Sequence, residues 1–115
     1  MDPDCIFCKI AAAEIQADEV HRTDSVVAFR DLNPQAPTHI LLIPVEHIRD
    51  LTAIEERHGE LLVELVQTAR HLAQAEGIAE TGWRLVGNVG PDAGQSVFHL
   101  HLHLLGGRPM SWPPG

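Results

Sequence analysis

The chain has 115 residues, the length of one domain, and its 44% hydrophobic fraction is ordinary for a globular protein. Asp and Glu outnumber Lys and Arg 16 to 8, giving a formal charge of −8, so its surface repels a polyphosphate backbone and nucleic acid is not an expected partner. No apolar run approaches the roughly 20 residues that span a bilayer. The acidic start "MDPDCIFCKI" lacks the basic region of a secretory signal, so no membrane partner and a cytoplasmic location are expected.

No internal repeat or linker composition divides the chain, which predicts a single domain over 1–115. In chain order, "CIFCKIAAAEI" places Phe7, Ile10 and Ala11 at helical spacing and predicts a short helix over Ile6–Ala13. A short strand near Glu19–Arg22 is expected to pair through "TDS" with a β-branched strand at Val26–Arg30. "NPQAPT" reads as a loop, and "HILLIP" as a nearly continuous apolar strand closed by Pro44. Thr52-x-x-Glu55 suggests a capping box before the main helix. That helix carries Leu61, Leu62, Leu65, Val66, Ala69, Leu72 and Ala73 as an apolar stripe, and Gly77 ends it. "WRLVGNV" and "SVFHLHLHLL" predict a hairpin joined by "GPDAGQ", and the Gly- and Pro-rich tail predicts no regular structure. The expected fold class is α+β: a five-stranded antiparallel sheet with one long and one short helix packed on one face.

His99, His101 and His103 stand at every second position. Strand side chains alternate, so the three imidazoles are expected on one face, with Phe98, Leu100, Leu102 and Leu104 on the core face. Successive imidazoles then lie about 6.5–7 Å apart, close enough for one phosphate to touch two. Such a row serves either as a set of metal ligands or as a nucleophile with assisting groups. Asn88, Gly94, Gln95 and Ser96 fall at the same end of the hairpin. An amide, a hydroxyl and a glycine that admits close backbone approach suit phosphate oxygens better than a metal, although singly each reads as ordinary turn chemistry. His21, His58 and His71 read as surface residues.

"HLHLHLL" resembles the signature of the histidine triad (HIT) superfamily of nucleotide hydrolases and transferases. The likeness extends through "IFCKI", "VVAFRDLNPQAPTHILLIPVEHI", "GNVGPDAGQSVFHLHLHLLGGR" and the final "WPPG". "PQAPTH" and "WPPG" point to the branch of histidine-triad nucleotide-binding proteins, which are homodimeric purine nucleoside phosphoramidases. The resemblance implies that His101 attacks the α-phosphorus and forms a nucleotidyl-histidine that water hydrolyses to a nucleoside monophosphate such as AMP. It implies that His103 bonds the phosphate and that Asn88, the Gly94 backbone and Ser96 hold its oxygens, with Ser96 also near the leaving amine and Gln95 in the same nucleotide-binding loop. Asp31 and Leu32 would meet the ribose, Ile6, Phe7, Ile15 and Phe29 would wall the purine, and His39 would face the site. Ile6, Phe7, Ile15 and Phe29 serve equally well as core packing, and Asp31 as a turn residue. The resemblance also implies a homodimer with one continuous ten-stranded sheet, in which Trp112 and the tail reach the partner's site. No catalytic metal is required by this scheme.

Cys5-x-x-Cys8 is where the chain departs from many animal members of that branch; Gln16, where relatives usually carry Pro, is a second departure. One helical turn puts both thiols on one side. Two further ligands would complete a tetrahedral zinc site, and similar bacterial members supply them from positions matching His47 and His99. The expected cofactor is therefore structural Zn2+ held by Cys5, Cys8, His47 and His99. The alternative is two small buried thiols.

Overall fold

A computed structural model describes residues 2–115. Helix α1 spans Ile6–Ala11, strands β1, β2 and β3 span Glu19–Arg22, Val26–Arg30 and Thr38–Pro44, helix α2 spans Gly59–Ala75, and β4 and β5 span Trp83–Gly87 and Leu102–Gly106. The strands form one antiparallel sheet in the order β1-β2-β3-β5-β4. The α+β class, the five strands and the two helices are as the sequence predicts.

The helices do not share a face. Val26, Ala28, Ile40, Leu42, Leu102 and Leu104 pack with Leu65, Ala69, Leu72 and Ala73 of α2. The alternate residues Val27, Phe29, Leu41 and Ile43 pack with Cys5, Phe7, Cys8, Ile10 and Ala11 of α1 and its cap. The cause is legible in β2 and β3, whose side chains are apolar at nearly every position rather than every second one. A strand with two apolar faces needs a cover on each. His39 and His103 alternate with the residues beneath α2, so they stand on the α1 side.

Three boundaries differ from expectation. Helix α1 stops two residues early: Ala12 is its C-cap and Ala13 turns with φ 59°. Strand β5 starts at Leu102, because its neighbours end opposite it, Leu42 pairing Leu102 on one side and Gly87 on the other. Residues 96–101 lie beyond that ladder, joined to Ile48 by the Leu100 N–H. Phe98 is accordingly 55% exposed rather than in the core, while Leu100 is buried. The capping box is also displaced. Asp50, not Thr52, caps the turn at Leu51–Ala53, and Glu55 pairs with His58 ahead of α2. His58 is therefore buried, its Nδ1 accepting the Glu55 N–H at 2.9 Å. Gly77 follows α2 with φ 75°, as the chain reversal requires. Val66 lies on the exposed side of α2 and is not part of its core stripe.

Candidate active site and metal centre

His99, His101 and His103 sit where the chain joins β5, and each ring has its own partner. His101 Nδ1 lies 2.7 Å from the His99 carbonyl oxygen. A carbonyl only accepts, so Nδ1 carries the proton and the neutral ring keeps its lone pair on Nε2. His39 Nδ1 accepts the Gln35 backbone N–H at 3.0 Å, which places the His39 proton on Nε2. That N–H meets His103 Nδ1 at 2.9 Å, leaving the His103 proton on its own Nε2. A nucleophilic lone pair on His101 thus stands beside a hydrogen-bond donor on His103, with ring centroids 5.1 Å apart. Asp31 Oδ1 accepts the Asn33 N–H at 2.8 Å, and Oδ2 lies 3.5 Å from His39 Nε2.

These hydrogen bonds bear on the reading of the three histidines as ligands of one metal ion. His99 turns its Nδ1 towards the cysteines, His101 has Nδ1 engaged, and His39 and His103 present N–H rather than lone pairs. Three triad lone pairs do not converge on one point.

Burial, with the neighbouring His101 and His39 adding to it, pushes the His103 pKa down to about 4. Burial also lowers His39, against the opposing pull of Asp31. An unfolded histidine titrates near 6.5, so between pH 6.5 and 4 the unfolded chain binds a proton that folded His103 refuses. Stability from this group is full above the unfolded value and is lost as pH falls through the folded one, at most about 3 kcal/mol. Denaturant unfolding at stepped pH should show stability falling from pH 6.5 towards 4, and His103→Asn should flatten that slope. An unchanged slope in His103→Asn would assign the acid sensitivity elsewhere.

The remaining expected contacts are distributed unevenly. Phe7 and Phe29 are buried in an edge-to-face pair, centroids 5.6 Å apart, and Phe7 also meets the His101 ring at 5.1 Å. Both are core residues, and of the two it is Phe7 that touches the triad. Ile6 and Ile15 stand exposed beside them, and Leu32 is 99% exposed. Gly94 has φ 82° with open space where a Cβ would stand, but its N–H bonds Pro91 O. Gln95 is buried and its amide ties the loop together, accepting from Gly90 N and donating to Arg49 O and Val97 O. Its side chain is therefore a brace for the loop over residues 90–97, with its amide hydrogens already engaged. Ser96 is exposed and lines a cavity of about 320 Å³ with Asp2, Asp4, Ile6 and Phe98. Asn88 lines a second cavity with Arg84, Arg108 and the tail residues Met110, Ser111, Pro114 and Gly115. Trp112 is 83% exposed and contacts no site residue of its own chain among the hydrogen bonds and ring pairs described. Sequence reasoning missed the Gln35 N–H and the Pro44 carbonyl, because backbone groups carry no residue signature.

The second cluster brings all four expected zinc ligands together. Cys5 Sγ lies 3.3 Å from His99 Nδ1, Cys8 Sγ 3.2 Å from His47 Nδ1, and the two Nδ1 atoms are 3.2 Å apart. The edges of a tetrahedral zinc site with bonds of about 2.0–2.3 Å are roughly 3.3–3.8 Å, so these separations fit. His99 Nε2 donates to Pro44 O at 2.8 Å, which fixes the tautomer that aims the Nδ1 lone pair at the cluster. Burial, with the neighbouring Cys8 thiol adding to it, raises the Cys5 thiol pKa, so a metal is what would hold it as thiolate. Cys5 also caps α1, accepting the Cys8 N–H at 3.3 Å.

The sequence pattern of the HIT domain matches residues 12–110. A 14 kDa zinc-binding protein of Zea mays is 51% identical over 116 residues, covering 99% of this chain and 90% of its own. A purine nucleoside phosphoramidase of Escherichia coli (strain K12) is 46% identical over 110 residues, covering 96% and 92%. Among solved structures, a HIT family hydrolase from Legionella pneumophila Philadelphia 1 superposes with a TM-score of 0.96 at 53% identity, covering 97% and 100%.

Proposed function

The chain belongs to the HIT domain family, and from that membership we propose that it is a nucleotide hydrolase acting on purine nucleoside phosphoramidates or acyl-adenylates through a nucleotidyl-His101 intermediate. The single observation that carries the reading is the His101 tautomer: Nδ1–H on the His99 carbonyl leaves Nε2 free to attack. Nε2 forms a bond to the α-phosphorus while the phosphorus–nitrogen bond breaks. The departing amine takes up its proton from solvent water, while neutral His103, its Nδ1 held by the His39 Nε2–H, donates its own Nε2–H as a hydrogen bond to a phosphate oxygen. The Ser96 hydroxyl stands near that leaving group, and Asn88 with the 94–96 loop holds the phosphate oxygens against the charge that builds on them. Water then opens the phosphorus–histidine bond and releases the nucleoside monophosphate. Ile6, Ile15, Phe7 and Phe29 wall the base, and Asp31 with the Leu32 backbone meets the ribose.

The Cys5, Cys8, His47 and His99 cluster is proposed to hold a structural zinc. When bound, the ion cross-links the cap of α1 to the segments after β3 and before β5. The chain is also proposed to act as a homodimer. Strand β4 is an edge of the sheet, and pairing two copies there removes it and makes ten strands. Trp112 would then find a partner's site rather than its own.

Incubation with adenosine 5′-phosphoramidate should release AMP and ammonia in equal amounts, faster than the cytidine analogue is cleaved. Tight AMP binding with no cleavage of either substrate would instead favour a nucleotide-binding module with little turnover.

A further inference from the structure

We propose that the cysteine–histidine cluster is the positioning device of the nucleophile, so that metal occupancy sets the orientation of His101 and with it the rate of the chemical step. Two contacts on the His101 ring come from segments that the cluster anchors. The first is the His99 carbonyl, 2.7 Å from His101 Nδ1. His99 has no freedom of its own: its ring is 0% exposed, with Nε2 on Pro44 O and Nδ1 among Cys5, Cys8 and His47. The second is Phe7, which packs edge-on against both His99 and His101, at 6.0 and 5.1 Å between centroids. Phe7 sits between Cys5 and Cys8 on a helix of six residues, too short to hold its place by helix formation alone.

The segment carrying His99 lies outside the β5 ladder, so sheet hydrogen bonds do not fix it. It is anchored instead by the Leu100 N–H on Ile48 O, the buried Leu100 side chain, the Gln95 amide on Val97 O and, at the residue whose carbonyl meets His101, the His99 ring itself. Emptying the cluster replaces four bonds to one ion by weak contacts: the cysteine thiols lie 3.3 Å from His99 Nδ1 and 3.2 Å from His47 Nδ1, and the two Nδ1 lone pairs still face each other at 3.2 Å. A ring held only by such contacts no longer pins its own backbone, and a shift of that backbone moves the carbonyl that selects the His101 tautomer. The consequence falls on the attacking nitrogen: with Nδ1–H unpaired, the proton redistributes between the two ring nitrogens and Nε2 loses its standing lone pair. Loss of a partner that orients a reacting group typically costs roughly 10–100-fold.

The test uses the full chain labelled with 15N-histidine in four forms: zinc-loaded wild type, wild type stripped by chelator, His47→Ala, and His47→Cys. His47 is partly exposed and its ring packs on His99, so its replacement removes a ligand while leaving the His101 side chain itself unchanged, and Cys restores one. Three readouts are taken: zinc per chain, the His101 ring 15N shifts, and the rate of adduct formation with adenosine phosphoramidate. Zinc-loaded wild type and His47→Cys are expected to show a single Nδ1–H tautomer and fast adduct formation. Stripped wild type and His47→Ala are expected to show mixed tautomers and adduct formation slower by roughly 10–100-fold. The kinetic arm rests on the proposed covalent mechanism; the tautomer arm does not. If the tautomer follows zinc while no adduct ever forms, the positioning role stands and the covalent mechanism falls. If stripped, still-folded protein keeps the single tautomer and the full rate, or if wild type retains no zinc, the positioning role is overturned.

Discussion

His101→Ala is expected to lower kcat for adenosine phosphoramidate by on the order of 10⁴–10⁶-fold, the usual cost of removing a covalent nucleophile. The expectation comes from what surrounds the ring. The other ring lone pairs are already taken: His103 Nδ1 accepts the His39 N–H, His39 Nδ1 accepts the Gln35 N–H, and His99 is turned away among the cysteines. Nucleotide affinity should change little, because Phe7, Phe29 and Asp31 keep their own partners in the variant. Steady-state kinetics together with AMP titration separates the two effects. Residual turnover within tenfold of wild type would show that water attacks directly and that His101 only assists.

Cys8→Ser is expected to cost more stability than any exchange on the surface. Serine preserves the size of this buried side chain but is a poor zinc ligand, so the loss reports the metal rather than the packing. With free zinc about a thousandfold above its dissociation constant, the linkage is about 4 kcal/mol, or a fall in Tm of roughly 10 °C or more. Calorimetry with and without added zinc measures it. Wild type should rise in Tm on zinc addition and Cys8→Ser should not. Equal responses of the two would remove zinc from this cluster.

Much of this molecule was legible in its residues, and the parts that were not have physical reasons. The strands, the long helix and the Cys5–Cys8–His47–His99 grouping follow from periodicity and from a family resemblance carried by "HLHLHLL", and the cluster forms although its members are up to 94 positions apart. The strict alternation of histidines overstated the strand. A period of two describes β5 from Leu102 onward, but a strand also needs neighbours, and those end at Leu42 and Gly87. Phe98 therefore turns outward. The placement of both helices on one face failed because β2 and β3 are apolar throughout, a pattern that calls for two covers. His58 was read as a surface residue because Glu-x-x-His is not a common capping pair, yet its ring does what a glutamine does in a capping box. Gln95 falls in the expected nucleotide-binding loop, but that its side chain braces the loop depends on backbone carbonyls from Arg49 and Val97. The tautomers of His39, His99 and His101 depend likewise on Gln35 N–H, Pro44 O and His99 O, groups every residue possesses and no sequence displays.

The central claim is that His101 Nε2 becomes bonded to phosphorus during turnover. Its most direct test is intact-mass spectrometry of zinc-loaded protein quenched within milliseconds of mixing with adenosine phosphoramidate, beside His101→Ala treated identically. The account predicts an acid-labile adenylyl adduct on wild type, mapping to the peptide that contains His101, and none on the variant. AMP release with no adduct at any quench time, from a wild type that turns over, would contradict it.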